Sequence, residues 1–160
     1  MLKIETPDDR SIVITRSFAA PKRLVFEAWT KPALVQRWLG VFGGWKFDVC
    51  EMDVRVGGSY RWRWRGPDGS TMGVSGTYRE VVEGERIVAT ERFDEAWYPG
   101  EAVGTTEFFE DGSKQRTRVV TTVRYATTEA RDIAVRSPME HGMEGGYRSL
   151  DAVLEAELAR

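Results

Sequence analysis

The chain has 160 residues, 30% of them charged and 41% apolar, with a formal net charge of −2, so it has the makeup of one soluble globule with no global pull toward nucleic acid. The first residues lack the sustained apolar core of a signal peptide, and no apolar run approaches the ~20 residues that span a bilayer, which argues against membrane insertion and for the cytoplasm. A lone cysteine, Cys50, excludes an internal disulfide and a multi-cysteine metal cluster, and no linker divides residues 1–160, which read as one domain.

Residues 11–18, SIVITRSF, are rich in β-branched types and predict the first strand. Pro21 falls where the first turn of a helix needs no backbone N–H, so its fixed φ starts a short helix there. Leu24, Val25, Phe26 and Trp29 form its apolar face. Thr30 is placed to cap a second short helix, with Pro32 in its first turn and Leu34, Val35 and Trp38 as its apolar stripe.

From Trp45 onward the pattern alternates. WKFDVCEMDV, GSYRWRWRG, TMGVSGTYREVV, ERIVATERF, AVGTTEFFE and QRTRVVTTVRY predict a six-stranded antiparallel meander, about seven strands with the first. Glycine-bearing turns such as Val56-Gly57-Gly58-Ser59 and Gly66-Pro67-Asp68-Gly69 separate them. The irregular piece from Asp94 to Glu101 holds Trp97, Tyr98 and Pro99, and reads as a lid or as a loop docked on the core. Ser137-Pro138-Met139-Glu140 combines an N-cap serine, a first-position proline and a third-position glutamate, so a closing helix runs from there to near Arg160. Met139, Met143, Tyr147, Leu150, Leu154 and Leu158 share one of its faces.

Strand alternation sends Tyr60, Trp62 and Trp64 to one face and Arg61, Arg63 and Arg65 to the other. The aromatic face is the buried one. Trp45, Phe47 and Val49 extend it on one side and Met72, Val74, Gly76 and Tyr78 on the other, with Thr105, Glu107, Phe109, Val119, Thr121 and Val123 on the far strands. An ionised Glu107 buried without a partner costs several kcal/mol, so it is expected to meet Arg92, a water or a ligand. Gly142, Gly145 and Gly146 each cost the closing helix roughly 1 kcal/mol relative to alanine. A bend in the helix or a void kept open above the sheet would account for them.

The element order, together with FAAPKRLVFEAWTKPALVQRWLG, VRVGGSYRWRWRGPDG, SGTYREVVEGERIV and HGMEGGYRSLDAVL, resembles the START-like (SRPBCC, birch-pollen-allergen) superfamily, in the branch similar to the C-terminal domain of the heat-shock-protein ATPase activator. The resemblance implies an α+β helix-grip fold: a curved antiparallel sheet wrapped around a long C-terminal helix, with two short helices after the first strand and an apolar cavity inside. Trp62, Trp64, Tyr78, Phe109, Met143 and Tyr147 fall at cavity-lining places. Trp38, Trp45, Phe47, Tyr60, Met72 and Val74 extend that wall, Val119 and Thr121 continue it on the last strand, and Gly146 and Leu150 face it from the helix.

The function this implies is binding of a hydrophobic small molecule, aromatic or lipid-like, by a monomer or homodimer without metal or cofactor. The alternatives are a polyketide-cyclase- or hydrolase-like enzyme and a chaperone-interaction module. For the enzyme the candidates are Glu107, Arg92 and His141. As the lone histidine, His141 would have to anchor any triad or His-based zinc site, yet G-x-S-x-G, H-E-x-x-H and a cysteine pair are all missing. A partly exposed position in the first helical turns is the favoured reading of it. Glu107 and Arg92 are read first as a structural ion pair and only second as an acid/base pair.

Overall fold

The computed structural model describes residues 2–160. The chain runs β1 (Lys3–Glu5), β2 (Ser11–Phe18), α1 (Lys22–Thr30), α2 (Pro32–Val35), β3 (Lys46–Met52), β4 (Ser59–Arg65), β5 (Thr71–Val82), β6 (Arg86–Phe93), β7 (Ala102–Glu110), β8 (Thr117–Arg124), α3 (Thr128–Arg136) and α4 (Met139–Leu158). Its eight strands form one sheet in the order β1-β2-β8-β7-β6-β5-β4-β3, with every neighbouring pair antiparallel. The meander expected from β3 to β8 is present, and β2 closes onto its last strand.

Two elements go beyond the sequence reading. β1 makes eight strands of the expected seven; it is three residues long, too short to show a period, and pairs with Val13, Ile14 and Thr15. α3 precedes the closing helix and buries only the small Ala130 and Ala134, so its apolar stripe is faint. Its N-cap, Thr127, accepts the Ala130 N–H at 3.1 Å.

Prolines set the helix boundaries differently from the expected caps. A residue before proline is pushed out of the α region. Lys31 (φ −98°, ψ 117°) therefore ends α1 ahead of Pro32, while Thr30 stays inside α1 and donates to the Phe26 carbonyl at 3.0 Å. Ser137 (φ −77°, ψ 165°) likewise ends α3 ahead of Pro138, and its hydroxyl donates back to the Ala134 carbonyl at 2.6 Å. Ser137 is thus a C-cap, and α4 starts at Met139 after Pro138.

The core lies between α1, α4 and one face of the sheet. Phe108 packs on Phe26 at 5.3 Å and on Trp29 at 5.5 Å, and Phe18 packs on Tyr147 at 5.4 Å. Phe108 is fully buried and opposite Val119, so its neighbour Phe109 points outward, 38% exposed, beneath the Arg118 guanidinium at 5.1 Å. Two adjacent phenylalanines weight both strand phases alike, and the aromatic face of α1 decides between them.

Arg16 points inward from β2. Its guanidinium grips Asp151 of α4 through two hydrogen bonds of 2.6 and 2.8 Å, stands 3.5 Å from Glu144, and lies over the Phe18 ring at 4.8 Å. Only 8% of the residue is exposed. Arg16→Met is predicted to lower stability by about 2 kcal/mol, because it leaves half-buried Glu144 without its inner partner. Urea unfolding would measure this, and an unchanged midpoint would contradict the role.

Two of the α4 glycines, Gly145 and Gly146, serve close packing, whereas a Cβ on Gly142 would meet the Phe42 ring at an ordinary 3.7 Å. A Cβ on Gly145 would sit 2.7 Å from the Phe42 ring, and one on Gly146 3.3 Å from the Trp38 carbonyl oxygen and 3.5 Å from the Gly40 nitrogen. One turn on, the Ser149 hydroxyl donates to the Val41 carbonyl at 2.6 Å. Gly146 thus meets backbone, and the expected void above it is replaced by the 38–42 segment. Gly146→Leu gains nearly 1 kcal/mol of helix propensity but is predicted to destabilise the protein by roughly 1–3 kcal/mol through overpacking. A thermal or urea midpoint equal to that of the parent would count against this packing.

Candidate functional site

The concave face of the sheet is closed in one half and accessible in the other. Ile12, Ile14, Phe18, Phe108 and Val119 of β2, β7 and β8 are buried beneath Tyr147, Leu150 and Leu154. The inward residues Phe47, Cys50, Met52, Trp62, Glu91 and Phe93 of β3–β6 are only half-buried, as is Met143 of α4, whereas Met139 borders Ile4, Val13 and Val135 at the β1–β2 edge. A bulge between Phe47 and Val49 brings Cys50 and Met52 inward and turns Val49 outward.

An aromatic wall lines this accessible half. Tyr60 and Trp62 stack at 4.2 Å, Phe47 and Trp64 at 4.9 Å, and Tyr60 and Tyr78 at 5.6 Å. Trp38 donates its indole N–H to the Ala28 carbonyl at 2.8 Å, and Trp64 donates to the Leu39 carbonyl at 2.8 Å. The Trp62 indole N–H is buried and has no acceptor among the described residues. A buried donor left unmade costs about 1–3 kcal/mol.

Beside this wall the β5–β6 ladder opens. Tyr60 lies across Gly76, where a Cβ would come within 2.6 Å of its ring, and its hydroxyl donates to the Thr90 carbonyl at 2.6 Å. The Thr77 N–H turns instead to the Thr90 hydroxyl at 2.9 Å. The next residue, Glu91, faces inward opposite Ala102 and accepts the Tyr98 hydroxyl at 2.8 Å. Burial pushes the Glu91 carboxyl above its usual range, against the smaller lowering effect of Tyr98. Burial, reinforced by the Glu91 charge, likewise raises the Tyr60, Tyr98 and Tyr125 phenols. Tyr98 and Tyr125 meet edge to face at 5.0 Å. Nearer α4, burial pushes Tyr147 up to about 12.

The three candidate catalytic residues do not converge. Glu107 lies on the outer face opposite Arg86, and Arg92 is exposed opposite Ser75, so the expected Glu107–Arg92 pair is not formed. The phase that turns Phe108 inward turns Glu107 outward, and Glu91 is the acid that faces in. His141 is exposed, its ring 6.1 Å from Phe42.

Of the expected wall, Trp38, Tyr60, Trp64, Val74, Tyr78, Val119, Tyr147 and Leu150 are buried. Trp45, Phe47, Trp62, Thr121 and Met143 are half-buried. Met72, paired with Trp64 at the start of β5, shares the face of the wall and is 47% exposed. Phe109 and Gly146 leave it as described above. Arg61, Arg63 and Arg65 form an outer ionic row with Asp94 at 2.6 Å and Asp48 at 2.6 and 3.2 Å. Among the described residues no group of three His, Cys, Asp or Glu is placed to hold a metal ion. Glu91, Tyr125 and Arg16 were not singled out from the sequence, whereas Tyr98 was named in the 94–101 loop, which it docks on the core. Glu91 carried one legible signal, since it shares the strand parity of Ile87 and Phe93.

The sequence pattern described as Activator of Hsp90 ATPase homolog 1-like protein matches residues 19–155. The chain belongs to this family. Among solved structures, a Rhodobacter sphaeroides protein is 33% identical, with a TM-score of 0.90 over 97% of this chain and 98% of its own. A Nitrosomonas europaea protein (23% identical, TM-score 0.82, 97% and 100% covered) and a Mycobacterium smegmatis protein (21%, 0.85, 98% and 99%) share the fold. No curated protein matches at a significant level. The part of the chain that matches the Hsp90-activator-like family contains β3–β6 with the aromatic wall and Glu91, whereas Arg16 lies ahead of it.

Glu91 makes stability depend on pH. Its folded carboxyl holds a proton more tightly than the ordinary value of 4.5, so above that pH the folded state carries more protons than the unfolded one, and stability falls as pH rises. Glu91→Gln keeps the acceptor for Tyr98 and removes the titration. The variant is predicted to gain on the parent as pH rises above about 4.5 and to run parallel to it below. Urea midpoints across that range provide the measurement, and a pH-independent difference would refute the assignment.

Proposed function

We propose that the chain binds a hydrophobic small molecule, aromatic or lipid-like, between the β3–β6 half of the sheet and the first turns of α4. The observation that carries this is the Trp62 indole N–H, buried without an acceptor in an aromatic wall whose inward residues are only half-covered. A molecule that covers the wall and presents an acceptor gains apolar burial and relieves the orphaned donor together. Helix-grip relatives and family membership agree with a binding role. The proposed form is a cytoplasmic monomer or homodimer; no described helix is long and apolar enough to cross a membrane. The chaperone-contacting alternative draws its support from the family description alone.

Native mass spectrometry of freshly purified protein should reveal a co-purifying apolar molecule, and Nile red, which carries a carbonyl, should quench tryptophan fluorescence. Trp62→Phe retains an aromatic ring and removes the N–H. It is predicted to leave stability equal or higher while weakening Nile red binding about fivefold, the worth of one hydrogen bond. No binding by the parent, or equal binding by both proteins, would defeat the proposal.

A further inference from the structure

We propose that Glu91 donates its carboxyl O–H to the bound molecule, oriented by Tyr98, so that the site takes an uncharged, carbonyl-bearing aromatic molecule. This rests on the binding reading above and adds the chemical class of the ligand. Two charged side chains among those described above face inward from the strands. One is Arg16, whose guanidinium is engaged by Asp151 and Glu144. The other is Glu91, which forms no ion pair among the described residues.

The groups that face Glu91 are Tyr60 from β4, Tyr98 from the β6–β7 segment and Tyr125 beyond β8, all phenols that burial holds in the neutral form. With no cation to offset it, an ionised carboxylate is the costly state in that environment and a neutral acid the stable one. Tyr98 donates to Oε1, which makes Oε1 the carbonyl-like oxygen. Oε2, without a donor among the described residues, is left to carry the proton and point it elsewhere.

Another inward donor without a partner, the Trp62 N–H, lies on the same wall, joined to this corner by the Tyr60–Trp62 contact at 4.2 Å, whereas the unpartnered Arg16 Nε lies under α4. Strands β4 and β6 are two spacings apart and Glu91 lies two residues along from Phe93, which is level with Trp62, so the two positions are about 12 Å apart. A two- or three-ring molecule spans that distance. Two donors and an aromatic surface suit aryl ketones and quinones, which offer acceptors only. An ammonium would be opposed by the Trp62 N–H, and a hydrocarbon would leave both donors unmet.

The test compares 2-acetylnaphthalene with 2-ethylnaphthalene, matched in shape, by calorimetry in mildly acidic buffer. The parent should bind the ketone about tenfold more tightly. With the other donor removed by Trp62→Phe, Glu91→Gln, which keeps an N–H donor there, should retain the preference, whereas Glu91→Met should bring the ratio to about one. Raising the pH should erode the preference in the parent and leave it unchanged in Glu91→Gln. The parent ratio and its pH dependence need no variant to fold. A parent that binds both naphthalenes equally, or a Trp62→Phe, Glu91→Met protein that still prefers the ketone, overturns the role of Glu91 while the binding site stands. If neither naphthalene nor Nile red binds, the binding reading itself fails.

Discussion

The grip of Arg16 on α4 is the constraint on which the rest of the architecture depends. A helix with glycine at 142, 145 and 146 has little stability of its own, so its position comes from tertiary contacts. A guanidinium carried inward on β2 has to be paired, and Asp151 and Glu144, two turns apart on α4, are what it meets. That contact fixes how the helix lies over the sheet. The glycines then let its other flank approach the 38–42 segment closely enough for Ser149 to reach the Val41 carbonyl. Held on both flanks, α4 seals the half of the concave face nearest β2.

The other half follows from that division. Where α4 and α1 press on β2, β8 and β7, the side chains interlock, and the Thr117 hydroxyl finds the Ala20 carbonyl at 2.7 Å, while Arg16 Nε and Glu144 Oε2 stay buried without a hydrogen bond. Over β3–β6 the large rings pack mainly on one another, and the backbone departs from regular pairing at Gly76 and Thr90. This half of the sheet gives up ladder hydrogen bonds to seat a tyrosine, and keeps a carboxyl and an unpartnered indole N–H facing inward.

Much of the fold was legible because its signals are local. The β3–β8 meander follows from alternation and glycine turns, the aromatic face of β4 from Tyr60, Trp62 and Trp64, and the closing helix from its apolar spacing. What escaped depends on partners distant in sequence. Whether Phe108 or Phe109 faces the core is decided by Phe26 and Trp29 of α1, and with that choice Glu107 loses the inner position assigned to it. Arg16 sits in a strand whose alternation would admit it on the inner face, yet nothing nearby announces Asp151, 135 residues away. Gly146 reads as a gap until the 38–42 backbone fills it.

The bulge at Asp48 bears on how the molecules behave in a crowd. β3 is the last strand of the sheet, and its free edge could template pairing with another chain. The bulge breaks the regular register there, and Asp48 is drawn toward Arg63 and Arg65 while Lys46 stands exposed at the strand's start. A kinked, charge-studded rim is a poor seed for cross-molecule β-stacking. The irregularity that turns Cys50 and Met52 inward thereby guards the aromatic-rich end of the sheet against self-association.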